Sequence, residues 1–132
     1  MIAGPARVIS VMNPWAWRIV AGLQTAVDLT WKPSWRGVLW IHAGKDRDPS
    51  APSELWPPTG QLVSSAIIGH VTLADVEGRP GAWRWVLTDP YQLAKPMTGV
   101  HGHPGLWLID LPPRFAAGRN APGSSSQEGR RV

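Results

Sequence analysis

The sequence predicts an α+β fold that is mainly β: a small curled barrel of five to six short strands with one principal helix. Three observations predict it. Short apolar segments rich in β-branched residues recur with even turn spacing. A single stretch, after Asn13-Pro14, carries an apolar stripe of helical period. At 132 residues and 43% apolar content, the chain suits one domain around one core.

Residues 7–12 (RVISVM) alternate and are β-branched, which reads as a first strand. Asn13-Pro14 starts the helix, with Asn as cap and Pro at the first helical position. Ala16, Ile19, Val20 and Leu23 form its apolar stripe, Trp15 lies at the margin, and Trp17 and Arg18 point elsewhere. Gly22 suits the helix exit. Residues 26–31 (AVDLTW) read as a short strand with Val27, Leu29 and Trp31 on one face and Asp28 and Thr30 on the other. Lys32-Pro33-Ser34 is a turn, and residues 37–43 (GVLWIHA) form a buried strand. Residues 44–64 are polar and proline-rich, with one helical turn expected at residues 53–56. Residues 65–76 form the longest expected strand, with Gly69 as a bulge or corner. Residues 83–87 and 105–111 complete the sheet. The domain is expected to span residues 1–111, followed by a disordered basic tail over residues 112–132.

Charge is unevenly placed. The formal net charge is +4, but residues 112–132 alone contribute +3 and the body only +1. A broad electrostatic footprint for nucleic acid is therefore excluded on the body, while a local phosphate-binding patch is not. With no cysteine, disulfides and cysteine-based zinc sites are excluded. No apolar run is long enough to span a bilayer, and no signal-type stretch opens the chain, so a cytoplasmic protein with no membrane partner is expected. Of the four histidines, His101 and His103 stand two apart while His42 and His70 fall in separate strands; no metal and no cofactor are expected from this spacing. His42 is expected to be satisfied within the sheet.

Nine tryptophans in a domain this small exceed what one core should hide, so some are expected to line a cleft. Trp31, Lys32, Trp35 and Arg36 interleave two flat rings with two cations within six residues, a pattern able to stack a base and hold a phosphate. Packing by the rings and bracing of a loop by Arg36 are the structural alternatives. Trp17, off the helical stripe, is a further stacking candidate. Lys45 follows a buried strand and can reach a phosphate, and the Gln24 amide both donates and accepts, as a base edge requires. Asn13 is either a cap alone or also a ligand contact.

The run from Asn13 to Lys45, in its order of capped helix, glycine exit, short strand, basic-aromatic turn and buried strand, resembles the start of an ASCH domain. Supporting features are Arg36-Gly37 entering a strand that ends His42-Ala-Gly-Lys45, Ile67-Ile-Gly69, Trp85-Val-Leu87 and Gly105-Leu-Trp107. The resemblance covers roughly residues 8–111 and implies a small β-barrel related to the PUA nucleic-acid-binding domains. Where the family signature is Gly-x-Lys-x-x-Glu-x-Arg, this chain has Gly22-Leu-Gln24-Thr-Ala-Val27-Asp-Leu29. Relatives include an amidohydrolase acting on acylated cytidine-type nucleosides, in which the signature lysine is the base and a threonine at the glutamate position is the nucleophile. Those positions are Gln24 and Val27 here, and neither supplies the group; the arginine position is Leu29.

The resemblance and the residues together lead to the expectation of nucleic-acid or modified-nucleotide binding in a tryptophan-lined cleft, without catalysis. The residues expected to contribute are Asn13, Trp17, Gln24, Trp31, Lys32, Trp35, Arg36 and Lys45. A hydrolase with a relocated catalytic set is the alternative, and Thr25, Asp28 and Lys32 are its members. A protein-interaction or regulatory domain is the third class, and it predicts an exposed apolar tryptophan patch.

Overall fold

In a computed structural model, which describes residues 5–58 and 62–112, the chain forms β1 (Pro5–Asn13), α1 (Trp15–Val20), β2 (Ala26–Leu29) and β3 (Gly37–Arg47). A 3-10 turn (Ser53–Leu55), β4 (Ala66–Arg79), β5 (Ala82–Thr98) and β6 (Leu106–Asp110) follow. The expected tail falls outside the described residues, apart from Pro112. Among the described residues the architecture is mainly β, with one helix and six strands, the strands forming a single sheet of order β2-β5-β4-β3-β1-β6. The sheet is not closed: β2 and β6 are its two edges. β1 and β3 run parallel, and the other pairings are antiparallel.

The parallel pair dictates the layout. A chain leaving β1 cannot turn straight back into a parallel neighbour; it needs a crossover. Here α1, β2 and the loop of residues 30–36 supply that crossover. α1 lies on one face of the sheet, where Ala16, Ile19 and Val20 pack with Leu39, Ile41, Ala43, Val71, Leu73 and Trp85. A smaller core on the other face joins Val8, Trp40, Ile67, Val100 and Leu111.

The helix is shorter than its stripe suggested. Asn13 is fully buried and accepts the Trp17 N–H on Oδ1 at 3.2 Å, capping from one residue before Pro14. At the other end Gly22 takes φ 81, its N–H donates to the Ile19 carbonyl, and the Leu23 N–H donates to the Arg18 carbonyl. That paired closure ends the helix at Val20, so Leu23 swings out and is 53% exposed, contrary to its expected place on the stripe. Trp15, at the margin of the stripe, is anchored by donating from Nε1 to Asp48 Oδ2 at 2.9 Å. The Ser50 hydroxyl first, and then this indole, hold the Asp48 carboxyl below the usual carboxylate range.

Gly69 is the expected bulge. The register of β4 slips between Ile67 and Gly69 against β5, and a Cβ at 69 would overlap the Tyr91 carbonyl oxygen and press on Val20 at 2.8 Å. Only glycine lets the helix sit this close to the sheet. Gly69→Ala is expected to cost about 1–3 kcal/mol, read as a lower denaturation midpoint with an unchanged m-value.

Two strands outrun their expected lengths. β3 continues through Lys45, Asp46 and Arg47 because the backbone stays paired to β1 up to Asn13. β5 runs to Thr98 through Pro90 and Pro96, both of which lie between its in-register pairs with β4, where the ladder slips and does not demand an N–H. Among the described residues, no helix is long and apolar enough to cross a membrane.

Candidate functional site

The strand order explains how the basic-aromatic run is displayed. Because β5 and β4 lie between β2 and β3, the loop of residues 30–36 must cross the end of both strands to deliver the chain from β2 to β3. Its first half therefore meets β5, and its second half meets the β3–β1 side.

On the β5 side, Trp31 is 36% exposed and stands edge-on to the buried Trp85, with ring centroids 4.8 Å apart. Trp85 Nε1 donates to the Trp31 carbonyl at 3.2 Å, so the core indole fixes the loop backbone. Trp31 does not extend the β2 face as expected, since the strand ends at Leu29. Lys32 places Nζ 4.7 Å from the centre of the half-buried Trp83 ring. Trp83 and Trp85 are two apart on β5 and so share a face, while Arg84 points to the opposite one. There Arg84 Nε sits 3.1 Å from Asp28 Oδ1, its in-register neighbour on β2. Both side chains are largely exposed, so this pair contributes little to stability.

On the β1 side, Trp35 is half-buried against the core, and Arg7 Cζ lies 4.9 Å from its ring centre. Arg36 is exposed, but one of its nitrogens already donates to the carbonyls of Pro33 and Trp35 at 3.1 and 3.0 Å. It braces its own loop, with the rest of the guanidinium facing outward.

The remaining candidates separate from this cluster. Lys45 is exposed eight residues along β3 from Gly37, about 25 Å away at strand rise. Asn13 faces Arg47 in register, at the same far end as Lys45. Its amide is already engaged on both sides, since Nδ2 donates to the Val63 carbonyl at 3.0 Å. Trp17 is half-buried on α1, and the Gln24 amide donates to the Ala26 carbonyl at 2.7 Å. Two members of the hydrolase set have other partners: Asp28 is paired to Arg84, and Lys32 lies over Trp83. Val27 and Leu29, at the signature positions, pack against the core.

Sequence reasoning missed Trp83 and Arg7 as partners of the loop. The alternation Trp83-Arg84-Trp85 was the available signal for the first, since period two puts both rings on one face. Arg7 carries none, because its meeting with Trp35 depends on the β1–β3 register. Of the nine tryptophans, only Trp40 and Trp85 are buried, so ring surface remains at the periphery. Among the described residues no group of three or more His, Asp or Glu is placed to hold a metal ion.

The fold is ASCH-like. A crystal structure of ASCH from Zymomonas mobilis matches with a TM-score of 0.53 and 16% identity, over 79% of this chain and 87% of that one. Two variants of the same protein match with TM-scores of 0.56 and 0.52, at 16% and 17% identity. These cover 79% and 84% of this chain and 89% and 91% of theirs. No protein-family model and no curated protein matches the chain.

Proposed function

We propose that this ASCH-like domain binds single-stranded nucleic acid or a nucleotide through the loop that crosses the end of its sheet. The observation carrying the reading is the cluster of Trp31, Lys32, Trp83 and Trp35 with Arg7 and Arg36: rings and cations interleaved at one end of the molecule. Indole faces stack on any base, and the cations neutralise the adjoining phosphates. Trp31 and Trp83 are the stacking surfaces, Lys32 and Arg36 the phosphate contacts. Trp17 and Gln24 are further contacts for a longer strand passing α1, whereas Lys45 and Asn13, at the far end of β3, fall outside the compact site. The cluster binds without catalysis on this reading, because the signature positions hold Gln24, Val27 and Leu29 and, among the described residues, no acid–base set stands beside it.

Tryptophan fluorescence quenching by a short oligonucleotide tests the reading. Trp31→Ala is expected to weaken binding by about 1–3 kcal/mol, the usual contribution of one stacked base. Lys32→Ala is expected to reduce both affinity and the salt slope, by roughly one phosphate's worth. Because Asp28 neutralises Arg84 and few cations gather here, the wild-type slope should be shallow. Wild-type affinity in the Trp31→Ala protein, with its fold intact by circular dichroism, would remove the loop from the binding surface.

A further inference from the structure

The second face of the sheet holds a polar group that nucleic-acid binding leaves unused. β1 and β3 place Ser10 opposite His42 in parallel register, on the same face as Val8 and Trp40. His42 is buried, with Nε2 2.7 Å from the Val100 carbonyl oxygen. A carbonyl only accepts, so Nε2 carries the ring hydrogen and Nδ1 of the neutral imidazole is bare. The Ser10 hydroxyl, 3.0 Å from Nδ1, therefore donates to the ring. Burial holds the His42 pKa below its ordinary value; the Val100 carbonyl opposes this, while His103 and His101 add to it. The ring is thus a neutral acceptor at pH 7.

Two further features belong to the same place. Trp107 Nε1 donates to Ser10 Oγ at 3.3 Å, and His42 and His103 both contact the Trp107 ring, at 5.5 and 5.0 Å between centroids. Gly102 covers the pair: a Cβ there would stand 2.6 Å from Ser10 Oγ and 3.0 Å from His42 Cε1. The covering segment begins and ends at Gly99 and Gly105, with φ of 70 and 67 and open space beside each.

We propose that Ser10 and His42 form a nucleophile–base pair that accepts the acyl group of small esters, with residues 99–105 as the flap that must lift to admit them. A serine needed only for packing has no use for a base of fixed tautomer. Here the hydroxyl points at the bare nitrogen of a ring oriented by a third group, which is the arrangement that activates a nucleophile. In the reaction, Ser10 Oγ adds to the ester carbonyl carbon and its proton passes to His42 Nδ1. The carbon–oxygen bond to the alcohol breaks, and the departing oxygen takes that proton. Water then adds to the acyl-serine, giving a proton to Nδ1, and Ser10 leaves the acid and recovers the proton. The Trp107 N–H, which donates to Ser10 Oγ, counters the charge that gathers on that oxygen as its proton leaves.

The test uses the full chain with p-nitrophenyl acetate, following p-nitrophenolate release, and a fluorophosphonate, whose phosphorus forms a stable bond to the attacking oxygen as fluoride leaves. The expected result is a single phosphonyl adduct mapped to Ser10. Ester cleavage should fall about 100-fold in both Ser10→Ala and His42→Gln. In the wild type the rate should rise with pH as His42 loses its proton, below the ordinary imidazole range, and then level off. No adduct at Ser10 overturns the proposal, as does an unchanged rate in a folded His42→Gln protein. Should that variant fail to fold, Ser10→Ala still decides: a folded Ser10→Ala protein that cleaves the ester at the wild-type rate overturns it.

Discussion

Trp85→Ala is expected to remove about 3–5 kcal/mol of stability, the largest loss from any single side chain among the described residues. Trp85 is fully buried in the larger core, on a central stretch of β5 that pairs with both β2 and β4. Truncation leaves a cavity the size of an indole between rigid strands, which the surroundings can refill only in part. It also strips the Trp31 carbonyl of its N–H donor and removes the ring on which Trp31 rests edge-on. A urea melt should show the full loss. Trp85→Phe separates the two roles, because it keeps most of the volume and deletes the donor. Its stability loss should be smaller, while oligonucleotide affinity should fall as the loop loses its anchor. A Phe variant with wild-type affinity would mean that the loop holds its shape without Trp85.

Acid should destabilise the protein well before its carboxylates titrate. Burial pushes the His70 imidazole down to about 4 from an ordinary 6.5, and the ring is stacked on Tyr91 and edge-on to Trp40. With the folded-state value below the unfolded one, the unfolded chain takes up the proton first as pH falls. The stabilisation is therefore complete above pH 6.5 and is lost progressively until the folded ring itself protonates near pH 4. The loss amounts to about 3 kcal/mol from this one residue. His42, shifted in the same direction, adds to it with the same sign. His70→Phe retains an aromatic ring against Tyr91 and cannot titrate, so its stability should change less between pH 7 and 4, by roughly the same 3 kcal/mol. Equal acid slopes in the two proteins would show that His70 is not the source.

Much of this fold is legible in the residues because local chemistry and tertiary demand agree. The helical stripe of Ala16, Ile19 and Val20, the glycine exit at Gly22 and the bulge at Gly69 follow from period and backbone freedom alone. Leu23 misled because a stripe does not reveal where a helix stops; the closure onto Arg18 and Ile19 decides that. β5 misled because Asp89-Pro90 reads as a break, yet a slip in register absorbs it. At the candidate site, the run from Trp31 to Arg36 announced itself through composition. Its partners come from distant strands, Trp83 from 51 residues downstream of Lys32 and Arg7 from 28 upstream of Trp35, and that meeting belongs to topology. Ser10 and His42 meet for the same reason: the pairing of β1 with β3 sets residues 32 apart side by side.

That parallel pairing has a consequence for how the molecule assembles. β4 and β5 form a hairpin joined through residues 80–81, so their contacts close short loops and can form early. β1 must wait for β3, and β6 must wait for β1; the Trp107–Ser10 hydrogen bond ties together residues 97 apart. β6 is thus the last strand to dock, and it docks on β1. Amide exchange should find β1 and β6 opening together as a unit while the β4–β5 hairpin stays protected.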